Sequence, residues 1–253
     1  MMRSLFIRGL LLLSLIALGS VPAAQGRELL VGMDQQPPYE YVQSRVAVGP
    51  STQVLAAVLA RMGEHAAPPA RHPWNRGLDL LARGQLDILY SGLRDERFLE
   101  FARYGAEPLL ESHWVVLARA GEAPEAFTGL ESLAGHKVGL VLDQTYNPQI
   151  DTWARDNPLV ERVVSYEILL SMLRRGRVDY VLGDALVMRH FARTQGRERD
   201  YAELSAPSLG SFGLYPLFSS TRLDQGFVDR FDAALREFKA SGEYQEILGS
   251  LPH

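Results

Sequence analysis

Four charged residues stand together directly after a short apolar run, and their types suit the binding of a small charged molecule. The run is "LDILY" at residues 86–90, and Arg94, Asp95, Glu96 and Arg97 follow it in "SGLRDERF". A guanidinium can hold a carboxylate through two parallel hydrogen bonds. Charge runs are also common in solvated loops before a helix, because charged side chains are usually exposed. The run alone therefore leaves two interpretations open, a binding loop and a surface loop.

A single carboxylate occupies the matching place after a second apolar run. Asp184 ends the segment "VDYVLGD", and a carboxylate there could neutralise an ammonium group. The six histidines show no spacing typical of metal ligands, and the sequence has no nucleophile elbow, zinc-protease motif or phosphate-binding loop. The candidates are thus binding groups at strand ends, and we expect no metal and no cofactor.

The two apolar runs belong to a repeated phrase. "LARGQLDILYSG" covers residues 81–92, and "LRRGRVDYVLGD" covers residues 173–184. In both, a helical pattern ends at Arg-Gly, where glycine can adopt the left-handed conformation that terminates a helix, and a buried strand follows. Ligand sites in open α/β sheets gather at the carboxyl ends of strands. The repeat therefore predicts two α/β lobes, each presenting one strand end to a shared site.

The rest of the chain alternates strands with helices, as an α/β fold requires. Further strands are predicted at 28–34, 113–119, 137–143 and 162–166, and helices at 51–62, 75–83, 166–175 and 185–195. Near the C-terminus one helical face carries apolar residues, namely Phe227, Phe231, Ala234, Leu235 and Phe238. This stripe indicates core packing and not a ligand pocket.

The first 26 residues have the pattern of a secretory signal peptide. Two arginines precede a short apolar run, and small residues follow with a cleavage site between Ala23 and Gly26. The chain of 253 residues has a formal net charge of −4 and 0 cysteines. This composition gives no electrostatic case for nucleic acid or anionic lipid, and no disulfide or lipid-modified cysteine. We therefore expect an exported protein in a bacterial periplasm.

In order and spacing, five segments resemble the type II periplasmic solute-binding proteins of the polar-amino-acid group, solute-binding protein family 3. They are "DQQPPYEY", "PWNRGLDLLARGQLDILYSGLRDER", "LAGHKVGLVLDQT", "RRGRVDYVLGD" and "ALREFKASGEYQEIL". The resemblance implies an α/β fold with two lobes, two hinge crossovers and a ligand cleft between the lobes, which close over one small ligand. On that basis lobe 1 comprises residues 27–114 plus 212–253, and lobe 2 comprises residues 115–211.

The resemblance also implies roles for individual residues. In the family, an arginine at the position of Arg97 holds the α-carboxylate of the ligand, and an acid at the position of Asp184 receives its α-ammonium. Aromatic residues at the positions of Tyr39 and Trp74 line or approach the pocket. Thr145 is the expected hydroxyl partner in lobe 2, because a hydroxyl beside helix-terminal N–H groups suits an anion.

Three of the expected site residues depart from the family pattern. The family commonly has serine or threonine where this chain has Tyr90, Gly92 and Arg94. Arg94 is either a second contact for an anion or an exposed residue. If Arg94 faces the cleft, a second acid group on the ligand would offset its charge, so acidic and dicarboxylic compounds are candidates. Glu40, which follows Tyr39, is expected at the surface.

The leading hypothesis is a monomeric periplasmic protein that captures an amino-acid-like ligand and delivers it to an ABC importer. An enzyme on the same scaffold, similar to dehydratases of cyclic acids, is an alternative in which Asp184 or Glu40 would act as acid or base. The spacing does not demand such a group, so the chain is predicted not to be an enzyme. A second alternative is a subunit that presents its ligand-bound form to a membrane receptor.

Overall fold

The computed structural model describes residues 27–142, 144–204 and 206–251, so the predicted signal peptide lies outside the described residues. The strands are β1 (Val31–Met33), β2 (Tyr41–Gln43), β3 (Val46–Val48), β4 (Ala70–Arg71), β5 (Ile88–Gly92), β6 (Ala102–Tyr104), β7 (Leu110–Arg119), β8 (Val138–Val141), β9 (Val160–Val163), β10 (Tyr180–Asp184), β11 (Tyr201–Leu204) and β12 (Ser211–Ser219). The helices are α1 (Pro50–Arg61), α2 (Trp74–Ala82), α3 (Pro148–Asp156), α4 (Tyr166–Arg174), α5 (Ala185–Thr194), α6 (Gln225–Lys239) and α7 (Gly242–Gly249). Within these ranges, none of the helices has the length and apolar character needed to cross a membrane.

A single curled sheet connects two groups of strands. Its order is β4-β1-β5-β12-β7-β10-β8-β9, with β6 also pairing with β12 and β11 with β7. The two long antiparallel strands in the middle, β7 and β12, join the groups: residues 211–214 of β12 pair with residues 110–113 of β7. The rest of β12 pairs with β5 and β6, and the rest of β7 pairs with β10 and β11. This arrangement confirms the two-lobed α/β fold predicted from the sequence. The exact lobe boundaries stay a prediction.

The repeated phrase folds in the same way in both lobes. Gly84 and Gly176 follow α2 and α4 with φ values of 65° and 67°. Their amides donate to the carbonyls of Leu81 and Leu173 at 3.0 Å, and the next amide in each case donates to the carbonyl one residue earlier in the helix, at 2.8 and 3.0 Å. These paired bonds form the glycine-dependent helix end that the Arg-Gly pattern predicts. Each helix end leads directly into a fully buried strand, β5 or β10.

The C-terminal stripe is confirmed as core packing. Phe227, Phe231, Leu235 and Phe238 on α6 are buried in the hydrophobic cluster of lobe 1, and Ala234 packs against its edge. Burial of each phenylalanine contributes about 1.5–3 kcal/mol relative to exposure. This helix therefore holds α1 and β12 in place, and with them the lobe 1 side of the cleft.

A buried ion pair network anchors the start of β5. The carboxylate of Asp87 is fully buried and accepts hydrogen bonds from Arg27 at 2.7 and 3.0 Å, from Arg222 at 3.1 Å and from the amide of Leu30 at 2.7 Å. Burial raises the pKa of Asp87, but the bonds from Arg27, Leu30 and Arg222 outweigh it and leave the pKa below its ordinary value. Asp87 thus ties three distant segments together at the strand that leads to the cleft.

We predict that Asp87→Asn lowers the free energy of unfolding by about 2–3 kcal/mol at pH 7, because several charge-assisted hydrogen bonds to a buried group are lost. Urea denaturation measures the difference. The folded-state pKa is depressed, so the stabilisation is present above the ordinary pKa of about 4 and disappears as the pH falls through the folded value. The difference between the wild type and the variant should therefore shrink below about pH 4.

Asp79→Asn is the matched control, since Asp79 pairs on the helix surface with Arg76 at 2.6 Å and Arg83 at 2.7 Å. Exposed pairs contribute about 0–1 kcal/mol, so this variant should stay close to the wild type. Equal destabilisation by the two substitutions would contradict a special role for Asp87.

Candidate functional site

Asp184 lies at the carboxyl end of β10 and caps the N-terminus of α5. Its Oδ1 accepts hydrogen bonds from the amides of Leu186 at 3.0 Å and Val187 at 3.5 Å, as expected of an aspartate at this position. The same oxygen accepts from the Ser112 hydroxyl at 2.7 Å and the Tyr39 hydroxyl at 2.9 Å, and the Tyr39 hydroxyl is 2.7 Å from Oδ2. The side chain is therefore held from several directions while being almost completely buried.

The partners of Asp184 come from both sides of the lobe junction. Tyr39 belongs to lobe 1, and Ser112 lies on β7 where that strand pairs with β12. Within the part of the chain that the structure describes, no lysine or arginine forms an ion pair with Asp184. Burial raises the pKa of Asp184, while the bonds from Ser112 and Tyr39 act to lower it. A buried carboxylate without a counter-charge thus lies between the lobes.

A second set of contacts positions the backbone at Asp184. Its amide donates to the Tyr166 hydroxyl at 3.2 Å, and that hydroxyl donates to the Gln144 side chain at 2.9 Å. A Cβ added at Gly183 would lie 2.6 Å from the Tyr166 ring. Glycine is thus needed beside Asp184 so that Tyr166 can approach the strand end.

Aromatic side chains pack tightly at the junction on the lobe 2 side. The Trp114 ring stacks on Phe212 with 4.2 Å between centroids and lies 4.7 Å from the Tyr146 ring. Leu93 from the charged loop of lobe 1 packs against the hydrophobic clusters of both lobes. Leu186 of α5 joins the lobe 1 cluster as well. The two lobes are therefore in direct contact around Asp184.

Both arginines of the charged loop have partners other than Asp184. The Arg97 side chain is 74% exposed and pairs with Asp95, which also caps the short turn at Glu96–Phe98. Arg94 is exposed, with its guanidinium 4.5 Å from the Tyr215 ring centroid and a bond to the carbonyl of Gly105. Their roles as ligand contacts stay a prediction.

The remaining predicted site residues occupy different surroundings. Trp74 begins α2, donates its amide to Asp34 at 3.1 Å and packs so closely on Gly92 that an added Cβ would lie 2.7 Å from its ring. Tyr90 is fully buried in the lobe 1 core, with its hydroxyl 2.9 Å from that of Thr52. Thr145 is exposed. The structure thus brings Tyr39 into contact with Asp184, and Trp74 into contact with Gly92. The ligand roles of these four residues stay predictions, as do those of Tyr90 and Thr145.

The prediction that Glu40 lies at the surface is wrong. Glu40 is 1% exposed, because the chain at Gln36–Glu40 folds back on itself and buries the side chain against α1 and β5. Sequence reasoning also missed Ser112 and Tyr166. A serine within the largely apolar β7 segment was the available signal for Ser112, whereas the reach of Tyr166 to Asp184 depends on tertiary packing.

A groove of about 1070 Å³ lies on lobe 2, between α3, the turn at Leu130–Leu133 and residues 207–209. Trp153, Asn157 and Pro207 are among its lining residues. It shares no lining residue with the hydrogen-bond partners of Asp184.

Comparison with known proteins finds relatives of similar sequence and solved structures of similar fold. An arginine-binding periplasmic protein of Mannheimia haemolytica is 24% identical over 231 residues, which cover 90% of this chain and 92% of that protein. A histidine kinase sensor domain similar to periplasmic binding proteins matches with a TM-score of 0.72 at 20% identity, over 90% of this chain and 98% of that domain. The arginine-, lysine-, histidine-binding protein ArtJ of Geobacillus stearothermophilus matches with a TM-score of 0.66 at 19% identity, over 89% and 97%.

At these identities the solved structures establish the fold alone. The family model that describes bacterial extracellular solute-binding proteins, family 3, matches residues 29–250, nearly all of the chain after the predicted signal peptide. The chain belongs to the bacterial extracellular solute-binding proteins, family 3.

Proposed function

We propose that the protein captures an amino acid between its two lobes in the periplasm and delivers it to an ABC importer. The observation that carries this proposal is the Asp184 carboxylate, which is buried at the lobe junction and forms no ion pair with the described residues. Burial of an unpaired charge is costly. The α-ammonium group of an amino acid would supply the missing positive charge.

The two oxygens of Asp184 differ in a way that favours such a ligand. Ser112 and the amides of Leu186 and Val187 donate to Oδ1, whereas the single O–H of Tyr39, which lies nearer to Oδ2, is the one donor to that oxygen in the described ranges. A carboxylate oxygen has two lone-pair positions, and Tyr39 occupies one of those of Oδ2. Oδ2 can thus accept one further hydrogen bond, from an ammonium N–H, without loss of the bonds that hold the side chain.

The ligand carboxylate requires a cation, and Arg97 is the proposed partner. Its ion pair with Asp95 is largely exposed, and such pairs are worth about 0–1 kcal/mol. Breaking the ion pair between Arg97 and Asp95 therefore costs little free energy, so Arg97 can bind a ligand carboxylate instead. Leu93, at the start of the same loop, already packs against both lobes, so the loop is close to the junction.

The family consists of solute-binding proteins, and no catalytic step is part of the proposal. The arginine-binding relative supports an amino acid as the ligand. An importer in the inner membrane as the partner and a monomer as the working form are further parts of the proposal. The sensor-domain neighbour supports a second candidate, in which the closed protein signals to a membrane receptor. Uptake of labelled ligand by cells with and without the gene separates the two, because a sensor leaves uptake unchanged.

A thermal-shift screen over the standard amino acids and small carboxylates tests the binding function. We expect at least one amino acid to raise the melting temperature, because a ligand that binds only the folded state stabilises it. If only plain carboxylates shift the transition, the amino acid proposal is wrong.

For the amino acid found in this screen, we predict that Asp184→Asn weakens binding at least about 30-fold, since losing one partner of a buried charge pair costs 2 kcal/mol or more. Asparagine still caps a helix, so α5 should remain folded. Asp232→Asn is the control, because Asp232 is a buried carboxylate of lobe 1 that accepts from the amides of Ala106 and Glu107. Calorimetry should show an unchanged affinity for the control, and unchanged or tighter binding by Asp184→Asn would refute the role of Asp184.

The two arginines provide another matched pair. Arg97→Ala should reduce affinity by a factor of about 30 or more if Arg97 binds the ligand carboxylate. Arg94→Ala should change it by less than about threefold, because Arg94 is held against Tyr215 and Gly105. Titration calorimetry with the same amino acid measures both. The reverse order of effects would assign the carboxylate to Arg94.

A further inference from the structure

Ser112 is a buried serine in a strand whose other inward-facing residues are apolar. Residues 110, 112 and 114 of β7 are buried, and they are Leu110, Ser112 and Trp114. Serine is usually exposed in folded proteins, and a buried hydroxyl needs a hydrogen-bond partner. The Ser112 hydroxyl donates to Oδ1 of Asp184 at 2.7 Å. An apolar side chain would have no such requirement, so the bond to Asp184 is what a serine adds at this position.

The register of the sheet places the Ser112 hydroxyl beside Asp184. Asp184 is directly opposite Trp114 where β10 pairs with β7, and Ser112 is two residues before Trp114 on the same strand. Side chains two residues apart on a strand point to the same face, and a diagonal neighbour on the adjacent strand lies within reach. The contact therefore follows from the pairing of the two strands.

Ser112 also belongs to the strand segment that joins the two lobes. On its other side β7 pairs with β12, where Ser112 is opposite Phe212, and the amide of Trp114 donates to the carbonyl of Gly210 at 3.0 Å. Tyr39, by contrast, reaches the same carboxylate from the turn after β1. Of the two hydroxyls that donate to this carboxylate, the one on Ser112 is thus held by the sheet itself.

The bonds from Ser112 and from the α5 amides end on one oxygen of Asp184. The Ser112 bond to Oδ1, at 2.7 Å, is shorter than those from the amides of Leu186 and Val187, at 3.0 and 3.5 Å. Hydrogen bonds from different directions to one oxygen restrict the rotation of a carboxylate. Oδ2 is thereby directed towards Tyr39 of lobe 1, whose hydroxyl is 2.7 Å away.

The Ser112 bond also favours the ionised form of Asp184. Burial raises the pKa of Asp184, and the hydrogen bond from Ser112 lowers it more than those from Tyr39 and the α5 amides do. The other titratable groups that act on it in the described ranges are the phenols of Tyr39, Tyr146 and Tyr166. Burial raises the pKa of each phenol, so all three stay neutral while Asp184 titrates. Removing the Ser112 hydroxyl should therefore raise the pKa of Asp184 further.

We propose that Ser112 is a positioning residue for ligand capture, which holds the Asp184 carboxylate in the orientation that presents Oδ2 to the ammonium group of the ligand. The inference rests on the proposed function, because that function assigns the ammonium group to Asp184. The single O–H of Ser112 is used on Oδ1, so Ser112 acts through the carboxylate. The strand shared by the lobes thereby determines the direction of the charge at their junction.

Three variants separate this role from a general effect on the sheet. Ser112→Ala removes the hydroxyl, and Ser112→Thr keeps one on a β-branched side chain that suits a strand. Ser219→Ala is the matched control, because Ser219 is a buried serine on the neighbouring strand β12. Its hydroxyl donates to the carbonyl of Leu81 at 2.9 Å, within lobe 1. A general effect of losing a buried strand hydroxyl would appear in both alanine variants.

Calorimetry on the whole protein measures the effect on binding, with the standard amino acid that gives the largest thermal shift in the screen as the probe. Ser112→Ala should weaken its binding about tenfold at neutral pH, because a hydrogen bond to a charged group is stronger than one between neutral groups. Ser112→Thr should stay within about threefold of the wild type, and Ser219→Ala within about twofold. Equal affinities of Ser112→Ala and Ser219→Ala would overturn the assignment.

The pH profile of binding is a readout that a merely structural role would not move. An ammonium group binds the ionised carboxylate, so the affinity should fall as the pH falls through the pKa of Asp184. Because Ser112→Ala raises that pKa, the fall should begin about one pH unit higher than in the wild type. Ser219→Ala should leave the profile in place. A profile of Ser112→Ala that coincides with that of the wild type would also contradict the inference.

An NMR titration without ligand distinguishes failure of this inference from failure of the proposed function. In protein labelled with carbon-13 at the aspartate carboxyl groups, the Asp184 signal is the one that Asp184→Asn lacks. Its midpoint should rise by about one pH unit in Ser112→Ala and stay unchanged in Ser219→Ala. If the midpoint rises but no amino acid binds the wild type, the proposed function is overturned, and Ser112 still controls the charge of Asp184. If an amino acid binds the wild type and Ser112→Ala changes neither midpoint nor affinity, amino acid capture stands and the role of Ser112 is overturned.

Discussion

A buried carboxylate needs hydrogen bonds or a positive charge to offset the loss of water. The contacts around Asp184 at the lobe junction follow from this requirement. The cap of α5 supplies two amides, the strand β7 supplies Ser112, and lobe 1 supplies Tyr39 across the junction. These are hydrogen bonds from neutral groups, which lower the cost of burial without cancelling the charge. In the proposed function, the ligand supplies the positive charge and the two lobes enclose it.

The scaffold makes this arrangement possible by repeating one simple unit. In each lobe a helix ends at a left-handed glycine and the chain turns into a buried strand, so that β5 and β10 both end at the junction. The long strands β7 and β12 connect the two groups through a short shared segment. Contacts between the lobes are otherwise made by side chains such as Tyr39, Leu93 and Leu186.

The sequence predicted the backbone better than the side-chain directions. The Arg-Gly helix ends, the strands after them and the position of Asp184 at a strand end depend on local rules, and the structure agrees with all of these. Glu40 shows where such rules stop, whereas the ligand role of Arg97 stays a prediction. Asp95, two residues before Arg97, captures its side chain. Glu40 is buried because α1 and β5, distant in sequence, enclose it.

The most direct test of this account is a crystal structure of the protein with its amino acid ligand. The account predicts a ligand nitrogen within about 3.2 Å of Asp184 Oδ2, at hydrogen-bond distance, with Ser112 and the amides of α5 still bonded to Oδ1. A ligand in the groove beside Trp153, with Asp184 bonded only to the partners described above, would contradict the account.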